Sequence, residues 1–185
     1  MGKVETAQPA GVTALVADAG GDGDMATMEV VSNGCLKAWR MACRGDEKGS
    51  LAVLEDLDKH YPGVLSIQRM EGQVYEHFGR NDLAVVHYRK ALNGNEFSSF
   101  HAFKLAEAMR KNGDYKGAED YYRKILAKTP QFGAAALGLA KCLLVADKQS
   151  GEARNLLSQA ATDPLVSKEA QTLLDKLEPG AKAGN

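Results

Sequence analysis

A period of 34 residues runs through the middle of this chain, and a period of that length leaves few folds open. Gly45-Asp46, Gly79-Arg80 and Gly113-Asp114 stand 34 residues apart. Five residues after each glycine comes a small side chain: Ser50, Ala84 and Ala118. Four further comes a large one, Leu54, Tyr88 and Tyr122, and three beyond that Leu57, Ala91 and Ile125. Ahead of the glycines, Ala38, Gly72, Ala106 and Ala140 recur, each followed three on by Met41, Tyr75, Met109 and Leu143. Pro62, Glu96 and Pro130 close the periods. A unit of this size cannot bury its own apolar face, so it must stack on its neighbours.

Inside each period the apolar spacing is helical. A helix from about Met25 to Arg44 pairs with Lys48–His60, where Leu51, Leu54 and Leu57 recur at three-residue steps. Leu65–Phe78 pairs with Asp82–Leu92, Ser98–Asn112 with Tyr115–Lys128, and Phe132–Ala146 with Gly151–Ala161. Glycines 45, 79 and 113 fall just past each first helix, where a left-handed residue takes up the terminal carbonyls. Pro62 and Pro130 stop second helices. The spacing breaks at Asp147–Ser150, which lacks the glycine. Asp163-Pro164 then reads as N-cap and first helical position of one more helix, with Leu165, Val166, Ala170, Leu173, Leu174 and Leu177 as its stripe. The organisation expected is a tail over 1–24, a repeat domain over 25–161, a capping helix over 162–178 and a frayed end over 179–185. The tail holds Gly2, Gly11, Gly20, Gly21 and Gly23 with Pro9 and no helical stripe, which predicts disorder.

Small-then-large alternation on this period resembles the tetratricopeptide (TPR) repeat, from Gly34 to Ala161. The resemblance implies an all-α fold, an α-solenoid of about four TPR helix pairs with flanking N-terminal and C-terminal capping helices. It further implies a concave face, lined by the first helix of each pair, that holds another protein. On that face the expected residues are Trp39 with Cys35 and Leu36, then Arg69, Met70, Gln73 and Glu76. The third pair adds Phe100, Phe103, Lys104, Glu107 and Arg110, and the fourth Leu137, Lys141 and Leu144. Apolar ends and a positive middle (Arg69, Lys104, Arg110) suit a helix or extended segment with an acidic centre. The repeat frame does not place the Lys and Asn set with which TPR clamps grip C-terminal carboxylates. Read from the second repeat, Arg69, Gln73, Lys104, Ala134 and Gly138 stand there.

Composition excludes more than it assigns. Net charge is −1, too little to draw nucleic acid or anionic lipid. The charge is uneven, since Lys3 against Glu5, Asp18, Asp22, Asp24 and Glu29 gives the first thirty residues −4, leaving +3. Cys35, Cys43 and Cys142 form no metal-binding spacing and read as reduced, buried small hydrophobes of a cytoplasmic protein. His60, His77, His87 and His101 lie on different helices and read as surface or helix-end residues, not metal ligands. The chain carries no Walker, GxGxxG or GxSxG element, so no catalytic residue, cofactor site or metal site is expected. No apolar run is long enough to span a bilayer. Met1-Gly2-Lys3-Val4-Glu5-Thr6 fits the myristoylation spacing, but so short a pattern recurs by chance and is read as an ordinary terminus.

A narrower resemblance covers Leu57 to Gly113. Tyr61-Pro62-Gly63, Arg69, Gly72, Glu76, Arg80, Asp82, Ala84, Tyr88 and Leu92, then Ala102, Lys104, Arg110, Lys111 and Gly113, look like the cytosolic TPR subunit of the ER membrane protein complex. Pro62-Gly63, Arg69, Glu76 and Arg80 carry it, because the generic repeat does not demand them. That family runs longer, and its aromatic-rich helix is replaced here by Gly34–Cys43. The resemblance implies a non-catalytic subunit, peripheral on the cytosolic face of the ER membrane, whose partners are subunits of a membrane complex. The competing expectation is a free-standing TPR chaperone or adaptor for an extended client, like the type III secretion chaperones.

Overall fold

The structure, a computed structural model, describes residues 25–92 and 97–177. The tail expected over 1–24, Glu96 and the expected frayed end lie outside the described residues. Within them stand nine α-helices and no strand: α1 (Met25–Cys43), α2 (Glu47–His60), α3 (Leu65–His77), α4 (Asn81–Leu92), α5 (Ser99–Lys111), α6 (Tyr115–Lys128), α7 (Gly133–Ala146), α8 (Gly151–Ala160) and α9 (Ser167–Leu177). They pack as consecutive pairs, α1 with α2, α3 with α4, α5 with α6 and α7 with α8. The fold is all-α, of the α-solenoid class. The flank expected ahead of the first pair is the opening of α1 itself, which runs unbroken for 19 residues. The contacts fall into two compact units, α1–α4 and α5–α9.

One local device, used three times, makes the turn inside a pair. Gly45, Gly79 and Gly113 sit at φ 84°, 73° and 86°. The next residue's amide then reaches back to the helix: Asp46 N to Met41 O at 3.1 Å, Arg80 N to Tyr75 O at 2.8 Å, Asp114 N to Met109 O at 2.9 Å. This is the Schellman closure, which only a residue without a Cβ enters at no cost. In two of the three turns the following aspartate starts the second helix: Asp46 accepts from Gly49 N at 2.8 Å and Asp114 from Gly117 N at 2.9 Å.

Close packing explains the small column. A Cβ on Gly72 would stand 2.7 Å from the Tyr88 ring, and one on Gly138 would fall on the Tyr122 ring. Both tyrosines are fully buried, as are Leu54, Ile67 and Val74 in unit 1 and Leu105, Ile125 and Leu139 in unit 2. Among the cysteines, burial pushes the Cys35 and Cys142 thiols up to about 11. Cys43 departs from expectation: it lies at the end of α1 and is exposed.

The last helix also differs from its sequence reading. It begins at Ser167, not at Pro164. Asp163 accepts from Leu165 N at 3.0 Å and its carbonyl takes Val166 N and Ser167 N, so a separate turn precedes the helix. The turn presses on α7, since a Cβ on Gly133 would collide with Asp163. Leu165 is 92% exposed and leaves the stripe expected of it. Helices α3, α5, α7 and α9 start at residues 65, 99, 133 and 167, so the 34-residue register persists to the end of the described chain.

Candidate protein-binding surface

In unit 1 the first helices are α1 and α3. Trp39, half-buried, meets His77 edge to face at 5.3 Å, and His77 in turn lies edge-on to Phe78 at 5.1 Å. Gln73 and Glu76 are half-buried on the same side of α3. Glu76 is committed inward: its Oε2 accepts the Tyr88 hydroxyl at 2.8 Å. Burial, then the Glu76 charge and that hydrogen bond, hold the Tyr88 phenol far above its ordinary range. Three expected lining residues are not surface. Arg69 is 8% exposed, Met70 4%, and Cys35 fully buried. Arg69 lies under the face, where its charge acts on the Cys35 thiol and the Tyr88 phenol. The repeat frame puts Arg69 on the first-helix face, outside the packing columns, which predicts a surface charge; the structure buries it instead.

Unit 1 holds a second polar group, towards its second helices. His87 Nδ1 lies 2.9 Å from Glu71 Oε2 and 3.1 Å from Gln68 Oε1, and Gln68 Nε2 donates to Asp58 Oδ1 at 3.2 Å. His87 is therefore no surface histidine: its side chain is 16% exposed, with Tyr75 leaning on its ring at 5.2 Å. Two acceptors on one nitrogen require Nδ1 to carry the proton. One period later the same positions are Ala102, Leu105 and Tyr121, so this network belongs to the second pair alone of these two.

In unit 2 the corresponding face is made by α5 and α7. Phe100 is 45% exposed. Phe103, half-buried, rests on Phe132 at 5.1 Å and Tyr122 at 6.2 Å. Lys104 is half-buried beside it. Glu107 takes Arg110 Nη2 at 2.9 Å and Nε at 3.2 Å, and accepts the Tyr122 hydroxyl on Oε1. Burial works to raise the Glu107 carboxyl, but the Arg110 and Tyr122 hydrogen bonds outweigh it and hold it below its ordinary value. Lys141 binds Glu169 of α9 at 2.8 Å. Leu137 is 3% exposed and belongs to the core with Ala136 and Ala140, while Leu144 is half-buried at its edge. The arrangement offers aromatic and charged contact area. Among the described residues, no group of three or more His, Cys, Asp or Glu is placed to hold a metal ion, and no described helix is long and apolar enough to cross a membrane.

Comparison with known proteins bears on the fold and the repeat pattern. A family model described as tetratricopeptide repeat matches residues 109–177. No curated protein matches the chain. Among solved structures, MamA is similar with a TM-score of 0.67 at 15% identity over 77% of this chain and 83% of that one. MamA from residue 41 onward, of Desulfovibrio magneticus RS-1, has a TM-score of 0.65 at 17% identity, covering 88% of this chain and all of its own. YrrB, described as a TPR protein with an unusual peptide-binding site, has a TM-score of 0.63 at 15% identity over 77% of this chain and 73% of its own. At such identities the likeness is one of fold.

Proposed function

We propose that this chain is a non-enzymatic TPR scaffold that holds a protein partner on the first-helix face of its repeats. The observation that carries this reading is Phe100, exposed on α5 directly before the Phe103 shelf. Phe100 keeps nearly half of its surface in water although its ring meets His101 edge-on at 5.6 Å, and a large exposed aromatic beside another is a common anchor of an interface. The TPR pattern and the fold it shares with YrrB support the same use. A photo-crosslinking side chain placed at Phe100 should capture a protein that the same group at Lys116, on α6, does not. Equal capture from both positions, or capture from Lys116 alone, would reject the first-helix face as the site.

Within that reading we assign the partner to a membrane complex of the ER, on the resemblance from Tyr61 to Arg80. Each of those residues has a place inside unit 1. Gly63 makes a left-handed turn at φ 80°, and Arg69 is buried. Arg80 Nη1 binds Glu47 at 2.9 Å while its guanidinium lies over the Tyr75 ring at 5.6 Å. What the resemblance supports is a second pair built alike, with the partner following from likeness. The protein should then sediment with ER membranes through protein contacts, and Gly2→Ala should leave that association alone. A tagged protein that stays wholly in the supernatant and brings down no multi-spanning protein removes the membrane assignment and leaves an adaptor for an extended client.

A further inference from the structure

Helix α1 carries an arc that stays uncovered among the described residues. One period later the same arc of α3 is made by Ile67, Met70 and Val74, all buried in one core with Leu54 and Leu57 of α2. On α1 those positions hold Asn33, Leu36 and Arg40, of which Leu36 is half-buried and the other two exposed. Lys37 and Arg44 are exposed beside them, so Lys37, Arg40 and Arg44 follow one another at steps of three and four residues along one side. Among the described residues none of these three side chains has an ion-pair or hydrogen-bond partner. The acids around them are engaged elsewhere or out of reach: Asp46 holds Gly49 N, Glu47 binds Arg80, and Glu29 lies eight residues before Lys37. A charge of +3 therefore faces water unanswered.

The chain itself carries the matching charge. Residues 1–24 hold Lys3 against Glu5, Asp18, Asp22 and Asp24, which is −3. They join α1 at Met25, and α1 has no acid in its own first turn, so Asp22 and Asp24 are in sequence the carboxylates nearest its positive end. We propose that the arc of Lys37, Arg40 and Arg44 is the docking site of the chain's own acidic segment, residues 5–18. Asp18 lies beside Lys37 and Arg40, the apolar run 12–17 crosses Leu36, and Glu5 is left for Arg44. The reach allows it. Lys37 stands twelve residues into α1, about 18 Å along the axis, and Arg40 about 22 Å. The seven residues from Asp18 to Met25 span about 23 Å when extended. Asp22 and Asp24 are too close to Met25 to reach the cations, so Asp18 is the decisive carboxylate. Exposed pairs of this kind are individually weak, but a tether of this length holds the partners at an effective concentration of roughly millimolar.

Cys43 supplies the probe, being exposed at the end of α1 while Cys35 and Cys142 are buried. A nitroxide on Cys43 of the full, isotope-labelled chain lies about 9 Å along the helix from Lys37. At low salt the amide signals of residues 12–18 should be lost to paramagnetic relaxation, and they should return progressively as salt is raised. Lys37→Glu together with Arg40→Glu should restore them, and adding Asp18→Lys to that pair should lose them again. Lys116→Glu, on α6, should change nothing. Signals of 12–18 that stay sharp in the parent at low salt, or that stay lost after the reversal at Lys37 and Arg40, would overturn the inference. Loss that appears only when nitroxide-bearing chains are mixed with isotope-labelled chains lacking the nitroxide would give the arc to a second copy and overturn the assignment to the chain's own segment.

Discussion

Tyr122 joins both roles of the chain, core and face, and its substitution separates them. Removing the ring with Tyr122→Ala should cost about 3–5 kcal/mol, the range for a large buried aromatic. Tyr122→Phe leaves the ring against Gly138 and takes only the hydroxyl from Glu107, for about 1 kcal/mol; urea titration distinguishes the two. Glu107 gives that contact a pH dependence. Its folded carboxyl lies below the ordinary value of 4.5, so its stabilisation is complete above the unfolded value and fades as pH falls through the folded one. The melting-temperature gap between parent and Glu107→Gln should therefore be widest near neutrality and close in acid. Arg69→Glu puts a carboxylate where a buried cation stood and should cost about 3–5 kcal/mol, whereas Lys104→Glu should leave the melting temperature nearly unchanged. The tyrosine columns were legible because they repeat. Their acceptors were not: Glu76 and Glu107 lie 12 and 15 residues before their tyrosines, and the period pairs Glu76 with Arg110 and Glu107 with Gln73.

At the scale of the element, glycine, aspartate and proline fixed nearly every helix end within a residue, because caps are local chemistry that neighbours in sequence complete. Gly113→Ala tests one of them cleanly. A Cβ there would meet nothing within 4 Å, so its cost is the left-handed backbone alone, about 1–2 kcal/mol. The same change at Gly72 instead meets the Tyr88 ring, and Gly72→Leu should overpack the pair by about 1–3 kcal/mol. Denaturant unfolding with the midpoint and slope fitted separately would show both. The start of α9 was misread because Asp163-Pro164 carries a sound helix-start signal. In the structure Asp163 instead caps a separate turn that lies close against Gly133, thirty residues earlier, a contact no local pattern announces. α9 keeps Ala170 buried in register with Ala136, yet has Leu174 where Gly72, Ala106 and Ala140 stand.

For the molecule as a whole, the period gave class and pairing, and the face gave a place to look for partners, but its membership had to be corrected by burial. Arg69, Met70, Cys35 and Leu137 share the spacing of exposed neighbours and still lie inside. Spacing says which side of a helix a residue is on, whereas burial depends on what the next pair brings to that side. The Asp58–Gln68–His87–Glu71 network carries a different lesson, about modularity. Arrays of this kind are commonly lengthened or shortened by copying one unit, since any copy meets the same neighbours. Here the second pair is not a spare part. Replace it with a duplicate of the third and Asp58 would face the counterpart of Ala102 in place of Gln68, its hydrogen bond lost. The network thus keys the second pair to the first through one side-chain hydrogen bond, worth about 1 kcal/mol, that a copy of the third pair would not make.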